Sequence, residues 1–490
     1  MKKAIVIGSG IGGLSSAVRL SNKGYDVHVF EKNSYPGGKL TEINLNEFRF
    51  DAGPSLFTMP QLVDELFELS GKNSKEYFDY ERLNNLCNYF FEDGTIIHAS
   101  ANGDEFAKEI EIKTSDSAKT VKKHLKKSAF IYNATSTLFL TKSLHKIDSY
   151  LSWNTFVSIL KLPFLNIFKT MNGANKARFK DDKNIQIFNR YATYNGSNPY
   201  QAPGILNIIP HLEYNMGAYF PKNGMHSITM SIYQLAIDLG VNFHFNSEIK
   251  KITTKDNKVT GILTSKGVNH QADLVVCNTD IHYVYKNLLN SPKLLTKVDK
   301  QERSSSALIF YWGINKDFPE LDLHNILFSE NYKEEFDHIF NKKLIYEDPT
   351  IYINITSKFN KNDAPNGKEN WFVMINVPSN DNQDWYKLIN DARENIISKI
   401  NRVLKVDLNK LIECEEILDP ISIQTKTLSY KGSLYGTASN KRSAAFFRHK
   451  NFSSVYNNLF FVGGSVHPGG GIPLALSSAK IIDRLIENEK

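Results

Sequence analysis

The sequence predicts an α/β protein in which one parallel sheet is assembled from separate stretches of the chain, with a helical region and a β-rich unit between them. Three observations support this prediction. The first 60 residues follow the order strand, glycine turn, helix, strand. Alternation of helices and strands returns from Pro221, and the last 50 residues again contain a strand, a glycine loop and a helix.

Length and composition indicate a globular protein with more than one structural unit. At 490 residues the chain exceeds the size at which a single hydrophobic core keeps growing. Its hydrophobic fraction of 41% and charged fraction of 23% are close to the averages for soluble domains. The net charge of +7 comes from scattered Lys and Arg, which disfavours nucleic-acid binding and leaves a weak attraction to anionic lipid open.

Cysteine usage and hydropathy limit the cellular setting. Cys87, Cys277 and Cys414 lie far apart without a CxxC pair, so neither a disulfide framework nor a cysteine zinc site is expected, and a reducing cytoplasm fits best. The N-terminal lysines and apolar run imitate a signal peptide, but the glycines that follow favour a strand and a turn. No apolar stretch reaches the roughly 18 residues that span a bilayer, so any membrane contact is expected to be peripheral.

The elements fall into three predicted units. The parallel-sheet domain is expected over 1–75, 221–300 and 440–490, the helical region over 76–220 and the β-sheet domain over 301–439. Periodicity predicts strands 3–7 and 27–31, helix 227–239, a hairpin over 249–263, strand 272–277, strands 306–312, 350–355 and 371–377, helix 384–403, strand 459–462 and helix 475–486.

A glycine motif between the first strand and the first helix predicts a dinucleotide site. Gly8, Gly10 and Gly13 form GxGxxG, in which the first glycine permits a tight turn, the second a close approach to a pyrophosphate and the third close packing of helix and strand. Glu31 ends the next strand, where an acidic side chain accepts from ribose hydroxyls and repels a 2′-phosphate. The combination favours a dinucleotide other than NADP over a simple tight turn, and leaves NAD and FAD open.

Further motifs resemble one family of flavoproteins. The stretches from Tyr35 to Lys39 and from Phe50 to Ser55 resemble loops that line FAD in the family of amine oxidases and phytoene desaturases. The stretch from Phe461 to Pro473 resembles the C-terminal signature of phytoene-desaturase-type carotenoid desaturases, and is most similar to the branch of 1-hydroxycarotenoid 3,4-desaturases. Stretches 219–225, 363–368 and 432–436 follow in the order of this family.

The resemblance implies FAD as the cofactor and a Rossmann-like FAD-binding domain. The implied cofactor-binding residues are Gly8, Ser9, Gly10, Ile11, Gly12, Gly13, Glu31, Lys32, Gly38, Lys39, Pro54, Ser55, Ile249, Gly464, Ser465, Gly471, Ile472 and Pro473. Many relatives in the wider superfamily carry Asp at the position of Gly464, so Ser465 and backbone amides are expected to serve there. Pro473 is expected to start a helix aimed at the flavin ring.

The implied reaction is desaturation of an apolar polyene by hydride transfer to flavin. Loss of hydride leaves a delocalised cation whose neighbouring C–H is acidic, so no strong base is required. Glu213 and His467 are the candidates for the proton step, and a structural role is the alternative for each. The histidines show no metal spacing, and no nucleophile elbow, HExxH motif or P-loop is present, so no metal site is expected.

The implied substrate is a long apolar carotenoid, with 3,4-desaturation of a 1-hydroxylated end as the leading hypothesis. A multi-step phytoene or diapophytoene desaturase, a carotenoid isomerase or oxygenase, an amine or porphyrinogen oxidase and a non-enzymatic prenyl-lipid-binding protein are the alternatives. The apolar stretch from Trp153 to Phe168 is expected either to contact a lipid surface or to be a buried stripe. The expected location is the cytoplasm, at the inner face of the cell membrane, and the oligomeric state stays open.

Overall fold

The computed structural model describes residues 1–146, 161–441 and 448–487. A five-stranded sheet, parallel throughout, brings together segments from both ends and the middle of the chain. Its strands, in spatial order, are Asn242–His244, Asp26–Phe30, Lys3–Ile7, Leu274–Cys277 and Leu459–Phe461. Its carboxyl ends therefore place turns from distant parts of the sequence at one edge.

A seven-stranded mixed sheet forms the second unit. Its strands, in spatial order, are Ile412–Leu418, Ser306–Ile314, Glu369–Val377, Ile351–Ile355, His324–Leu327, Asn85–Phe90 and Ile96–Ser100. Only the pairing of His324–Leu327 with Asn85–Phe90 is parallel within this sheet. All nine residues of Ser306–Ile314 are buried, because both faces of this strand are covered.

The remaining strands form three small antiparallel sheets. These strands are Glu42–Leu45 with Phe48–Asp51; Phe57–Thr58, Ala218–Pro221 and Tyr80–Arg82; and Ile249–Lys255, Lys258–Thr264 and Asn269–Gln271. The longer described helices are Ile11–Asn22, Gln61–Leu69, Gly103–Lys113, Ala118–Thr141, Met171–Lys176, Asp182–Asn189, His226–Asp238, Pro292–Asp299, Tyr332–Asp337, Trp385–Leu404, Pro420–Thr427 and Ile472–Glu487.

The predicted α/β fold class is confirmed. The first strand occupies residues 3–7 as predicted, and the predicted helix 384–403 occupies Trp385–Leu404. The structure differs within 76–220, where the sequence predicts a helical region but Asn85–Phe90 and Ile96–Ser100 extend the seven-stranded sheet. The two strands pair with each other as a hairpin around Asp93 and Gly94, which is a local turn signal, whereas only Asn85–Phe90 pairs with the sequence-remote strand His324–Leu327. The domain boundaries themselves stay a prediction.

The two faces of the seven-stranded sheet have different neighbours. Leu308, Phe310 and Trp312 pack in one core cluster with residues of helix Trp385–Leu404. Their alternating neighbours, such as Ile309, belong to a separate cluster on the opposite face. That second face forms one wall of the cavity described below.

In the described parts of the chain, no helix has the length and apolar character needed to cross a bilayer. Half of the predicted lipid-contacting stretch from Trp153 to Phe168 lies outside the described residues, which resume at position 161.

Candidate functional site

The first strand, Lys3–Ile7, and the first helix, Ile11–Asn22, are joined by a short glycine turn. Gly8 has a φ of +92°, which favours glycine. A Cβ atom on Gly13 would lie 2.0 Å from the carbonyl oxygen of Gly8, so this close packing requires glycine at position 13. The N-cap, Gly10, offers no side-chain acceptor to the first N–H groups of the helix. Such a helix start suits an anionic ligand.

Glu31 anchors the glycine turn at the end of the second strand. Its Oε2 accepts hydrogen bonds from the backbone N–H of Ser9 at 2.8 Å and from the Ser9 hydroxyl at 2.9 Å. Its Oε1 accepts from the backbone N–H of Asn33 at 2.9 Å. A carboxylate has about four acceptor sites, so Glu31 can accept one further donor, such as a ribose hydroxyl.

Asn278 lies between two glycine loops, although no sequence pattern singles it out. A Cβ atom added to Gly10 would lie 2.6 Å from its Nδ2, and one added to Gly12 or Gly463 would lie 2.7 Å from its Oδ1. The amide therefore fills the space between the N-terminal and C-terminal loops. The available signal is its position directly after strand Leu274–Cys277, at the edge where parallel sheets bind ligands.

Arg448 is a second residue that the sequence does not single out. Its guanidinium is buried, and Nη1 donates to the carbonyl oxygens of Tyr435 at 3.0 Å and Gly464 at 3.3 Å. Burial lowers the pKa of Arg448 to about 10, so the group stays charged at neutral pH. Arg448 thereby joins the C-terminal glycine loop to the loop around Tyr435.

Lys39, which follows the second strand of the parallel sheet, is hydrogen-bonded to the stretch of chain that follows strand Ile412–Leu418 of the seven-stranded sheet. Its Nζ donates to the carbonyl oxygens of Ser433 at 3.1 Å and Leu434 at 2.7 Å. Burial lowers the pKa of Lys39 to about 8, and the Asp280 carboxylate opposes that shift. At neutral pH the amine is therefore still mainly protonated.

Both glycine loops line one cavity of about 950 Å³, at the upper end of the range for small-molecule sites. Most of the predicted cofactor-binding residues contribute to its lining: Gly8, Gly10, Ile11, Gly12, Glu31, Lys32, Gly38, Lys39, Pro54, Ser55, Ile249, Gly464, Ser465, Gly471, Ile472 and Pro473. Ser9 and Gly13 are not among the described lining residues, because Ser9 faces Glu31 and Gly13 faces the strand. Direct cofactor contact by any of these residues stays a prediction.

The other half of the cavity is largely apolar. One face of the seven-stranded sheet supplies Ala307, Ile309, Ile326, Phe372 and Met374 to its lining. The cavity therefore has an apolar wall as well as the two glycine loops.

Glu213 also lines this cavity and is held by three donors. Its Oε2 accepts from the Tyr191 hydroxyl at 2.6 Å and from Arg190 at 3.3 Å, and its Oε1 accepts from the Tyr194 hydroxyl. Burial and the neighbouring Glu213 charge raise the pKa values of both tyrosines well above their usual range. The tyrosines therefore stay protonated and donate to the carboxylate.

His467 lies outside the described lining of the cavity. It is fully buried, and its Nε2 lies 3.1 Å from the carbonyl oxygen of Lys142, to which it donates. Burial lowers the pKa of His467 to about 3. These contacts favour the structural interpretation of His467 over a role in the proton step.

The residues of the cavity fit a flavin dinucleotide. The uncapped start of the first helix suits a diphosphate, and Glu31 suits a ribose. Gly471 has a φ of +103°, and no atom of the described residues lies within 4 Å of an added Cβ, so its backbone faces open space in the cavity. The last helix, Ile472–Glu487, begins at the same point and directs its positive end there.

Comparisons with known proteins agree with this geometry. The family model described as flavin containing amine oxidoreductase matches residues 11–482. A 1-hydroxycarotenoid 3,4-desaturase of Flavobacterium is 54% identical over 488 residues, covering 100% of this chain and 99% of that protein. A 4,4'-diaponeurosporene oxygenase of Staphylococcus haemolyticus is 32% identical and covers 99% of this chain and 97% of its own.

A solved structure of a redesigned putrescine oxidase matches 100% of this chain and 99% of its own with a TM-score of 0.66. At 10% sequence identity this likeness shows the fold alone. The family match confirms the predicted flavin cofactor, FAD. The chain therefore belongs to the flavin-containing amine oxidoreductase family, as a relative of its carotenoid desaturases.

Proposed function

We propose that this protein is an FAD-dependent carotenoid desaturase that introduces a double bond between C3 and C4 of a 1-hydroxylated carotenoid end. The observation that carries the proposal is the single cavity in which the glycine loops face the apolar wall of the seven-stranded sheet. The 54% identical relative, named a 1-hydroxycarotenoid 3,4-desaturase, supplies the choice of bond and end group.

FAD, when bound, supplies the hydride acceptor. The chain has to hold the polyene against the cofactor and exclude water from the cationic carbon that forms. The apolar wall, with Ile309, Ile326 and Met374, suits both tasks. Desaturation is complete when the neighbouring carbon loses its proton and the C–H electron pair becomes the second bond.

Glu213 is the proposed acceptor of that proton, because it lines the cavity and is a carboxylate. Its carboxylate already accepts from Tyr191, Tyr194 and Arg190. A strong base is not required here, because the C–H next to a delocalised cation is strongly acidic.

Product analysis tests the proposed function. Purified flavoprotein should convert a 1-hydroxylated carotenoid with a saturated C3–C4 bond to a red-shifted product that has lost two hydrogens. Loss of four or more hydrogens indicates a multi-step desaturase, gain of oxygen an oxygenase and unchanged mass an isomerase. Protein that is purified without flavin and still binds the polyene indicates a lipid-binding protein.

We also propose peripheral contact with the inner face of the cell membrane. Phe164 and Phe168 are 64% and 67% exposed, which is unusual for Phe side chains. Lys127 lies beside Phe164: its Nζ donates to the carbonyl oxygen of Phe164 at 2.6 Å and lies 4.8 Å from the ring centre of Phe130. Exposed aromatic rings with nearby lysines suit an anionic lipid surface.

Vesicle binding tests this contact. The double substitution Phe164→Ser and Phe168→Ser should reduce co-sedimentation with anionic vesicles about tenfold or more, because two partly inserted rings are lost. The matched control is Tyr386→Ser, which removes an 82% exposed ring on helix Trp385–Leu404. Equal vesicle binding by the double variant and the control contradicts the proposed contact.

A further inference from the structure

One ring nitrogen in the cavity wall is buried without a hydrogen-bond partner. His324 begins strand His324–Leu327, is 4% exposed and lines the cavity on the same face as Ile326. Its Nε2 has no partner among the described residues. A buried polar atom without a partner is uncommon and requires an explanation.

The contacts of the other ring nitrogen determine where the proton lies. Nδ1 of His324 lies 3.2 Å from Nδ2 of Asn354 and 2.8 Å from the Tyr352 hydroxyl. Nδ2 of Asn354 also donates to the carbonyl oxygen of Leu323 at 2.9 Å, which fixes the orientation of the amide. An amide nitrogen only donates, so Nδ1 accepts and Nε2 carries the hydrogen. The single lone pair of Nδ1 is shared by the Tyr352 hydroxyl, which is nearer, and the more distant Asn354 amide.

The imidazole is neutral at physiological pH. Burial lowers the pKa of His324 to about 4. The charge of Asp322 raises this pKa by a smaller amount, and the charge of Arg190 lowers it further. Nε2–H is therefore an uncharged, buried donor without a partner among the described residues, on a ring that lines the cavity. Such an uncharged donor can bind a neutral hydroxyl group of a ligand and does not need an anionic ligand to balance a charge.

A chain of hydrogen bonds connects His324 to the predicted flavin loop. The hydroxyls of Ser55 and Tyr352 lie 2.7 Å apart, and the Tyr352 hydroxyl donates to Nδ1 of His324. Since Nδ1 only accepts, the Ser55 hydroxyl donates to Tyr352 in turn. His324 is thus two hydrogen bonds from Ser55, which is predicted to lie beside the flavin.

This position matches the proposed reaction. The hydroxylated carbon C1 is two carbons from C3, so a hydroxyl-binding group has to lie close to the flavin when the C3–C4 bond does. We propose that Nε2–H of His324 donates a hydrogen bond to the C1 hydroxyl of the substrate and selects hydroxylated over non-hydroxylated ends. This inference rests on the proposed function and names the residue that determines its substrate preference.

A second ring nitrogen, Nε2 of His226, also lacks a partner among the described residues and borders the cavity. Its ring is less buried, and its Nδ1 lies 3.4 Å from the Glu42 carboxylate. That carboxylate favours the proton on Nδ1, so Nε2 of a neutral His226 is an acceptor rather than a donor. His226 is therefore included in the test as the alternative residue for binding the C1 hydroxyl.

The test compares two polyenes that differ only in the C1 hydroxyl. The wild-type preference, measured as the ratio of kcat/KM values, should fall about tenfold to a hundredfold in His324→Phe, because the donor is lost. In that variant the Asn354 amide keeps its bond to Leu323 and the Tyr352 hydroxyl keeps Ser55, so the fold should persist. His324→Gln restores an N–H donor and should recover most of the preference.

Binding provides a readout that does not depend on turnover. The hydroxylated, already desaturated product should bind more weakly to His324→Phe than to wild type, as measured by quenching of tryptophan fluorescence. An unchanged preference in His324→Phe, or a loss of preference in His226→Phe alone, overturns the assignment to His324. Wild-type flavoprotein that converts neither polyene contradicts the proposed function instead, so the two failures are distinguishable.

Discussion

At the scale of single residues, Gly13 has the most restrictive environment of the N-terminal turn. An added Cβ would lie 2.0 Å from the Gly8 carbonyl oxygen and 3.2 Å from Cβ of Asn278. Gly8 and Asn278 belong to the turns that meet at the cavity, so neither can move without changing the shape of the cavity. Shape rather than charge therefore determines the residue at this position.

Gly13→Ala should destabilise the protein by about 1–3 kcal/mol and reduce flavin retention, because the first helix has to move away from the strand. Thermal unfolding and the visible absorbance per mole of purified protein measure the two effects. Gly103→Ala is the matched control, since its added Cβ would meet only the flexible end of Leu125 at 3.2 Å. Equal flavin content in the two variants contradicts the proposed packing role.

Local spacing predicts the backbone roles of two glycines: Gly8 has the positive φ of a tight turn, and Gly13 has no room for a Cβ atom. The predicted contact of Glu31 with a ribose stays a prediction, and its hydrogen bonds to Ser9 and Asn33 do not follow from the motif. Asn278 and Arg448 escape such prediction, because their partners lie in loops that are distant in sequence. A single asparagine or arginine carries no signal until the sheet brings those loops together.

At the scale of elements, a buried ion pair joins two short helical turns to the seven-stranded sheet. Arg190 begins the turn Arg190–Asn195 and pairs with Glu213 of the turn Leu212–Met216 at 3.3 Å. Its Nη2 also donates to the hydroxyl of Tyr89, on strand Asn85–Phe90, at 2.6 Å. Arg190 and Glu213 therefore balance each other's charge, and either charge would be costly to bury alone.

Arg190→Met and Glu213→Gln should each cost about 3–5 kcal/mol of unfolding free energy, because each leaves a buried charge without its partner. The double variant should cost less than the sum, since no unpaired charge remains. Urea unfolding measures all three. Asp391→Asn, which breaks the exposed pair with Lys387, is the control and should change stability by less than about 1 kcal/mol. Strict additivity contradicts the coupling.

Elements with a strong local period are predicted best. Lys3–Ile7 and Trp385–Leu404 match their predicted bounds to within one residue, because apolar spacing and the flanking turn residues define them. Strands Asn85–Phe90 and Ile96–Ser100 form a local hairpin that joins the seven-stranded sheet through the sequence-remote strand His324–Leu327. The sequence prediction places both strands in a helical region, since the pairing with His324–Leu327 has no local signal.

At the scale of the whole molecule, several buried histidines make stability sensitive to acid. Burial lowers the pKa values of His124 and His467 to about 3, and those of His324 and His449 to about 4. The unfolded chain binds protons at these residues near pH 6.5, whereas the folded protein does not. The neutral rings therefore stabilise the folded protein fully above about pH 6.5, and this stabilisation is lost as the pH falls toward 4.

The unfolding free energy should fall steeply between pH 6.5 and 4, by up to about 5 kcal/mol per pH unit if all four rings contribute. His124→Phe tests this, because the ring packs at 4.2 Å between centroids against Phe188 and can be replaced by an apolar ring. The variant should reduce the slope by about 1.4 kcal/mol per pH unit. Identical slopes in the variant and the wild type would show that His124 does not contribute to the acid sensitivity.

We propose that one cavity, formed by both ends of the chain and the seven-stranded sheet, brings flavin and a hydroxylated polyene together for hydride transfer. Anaerobic mixing of the purified flavoprotein with a 1-hydroxylated carotenoid measures this transfer. The expected result is bleaching of the flavin absorbance with formation of one new double bond per flavin reduced. A desaturated product that forms without flavin bleaching, or a product that carries added oxygen, would exclude hydride transfer to the flavin in this cavity.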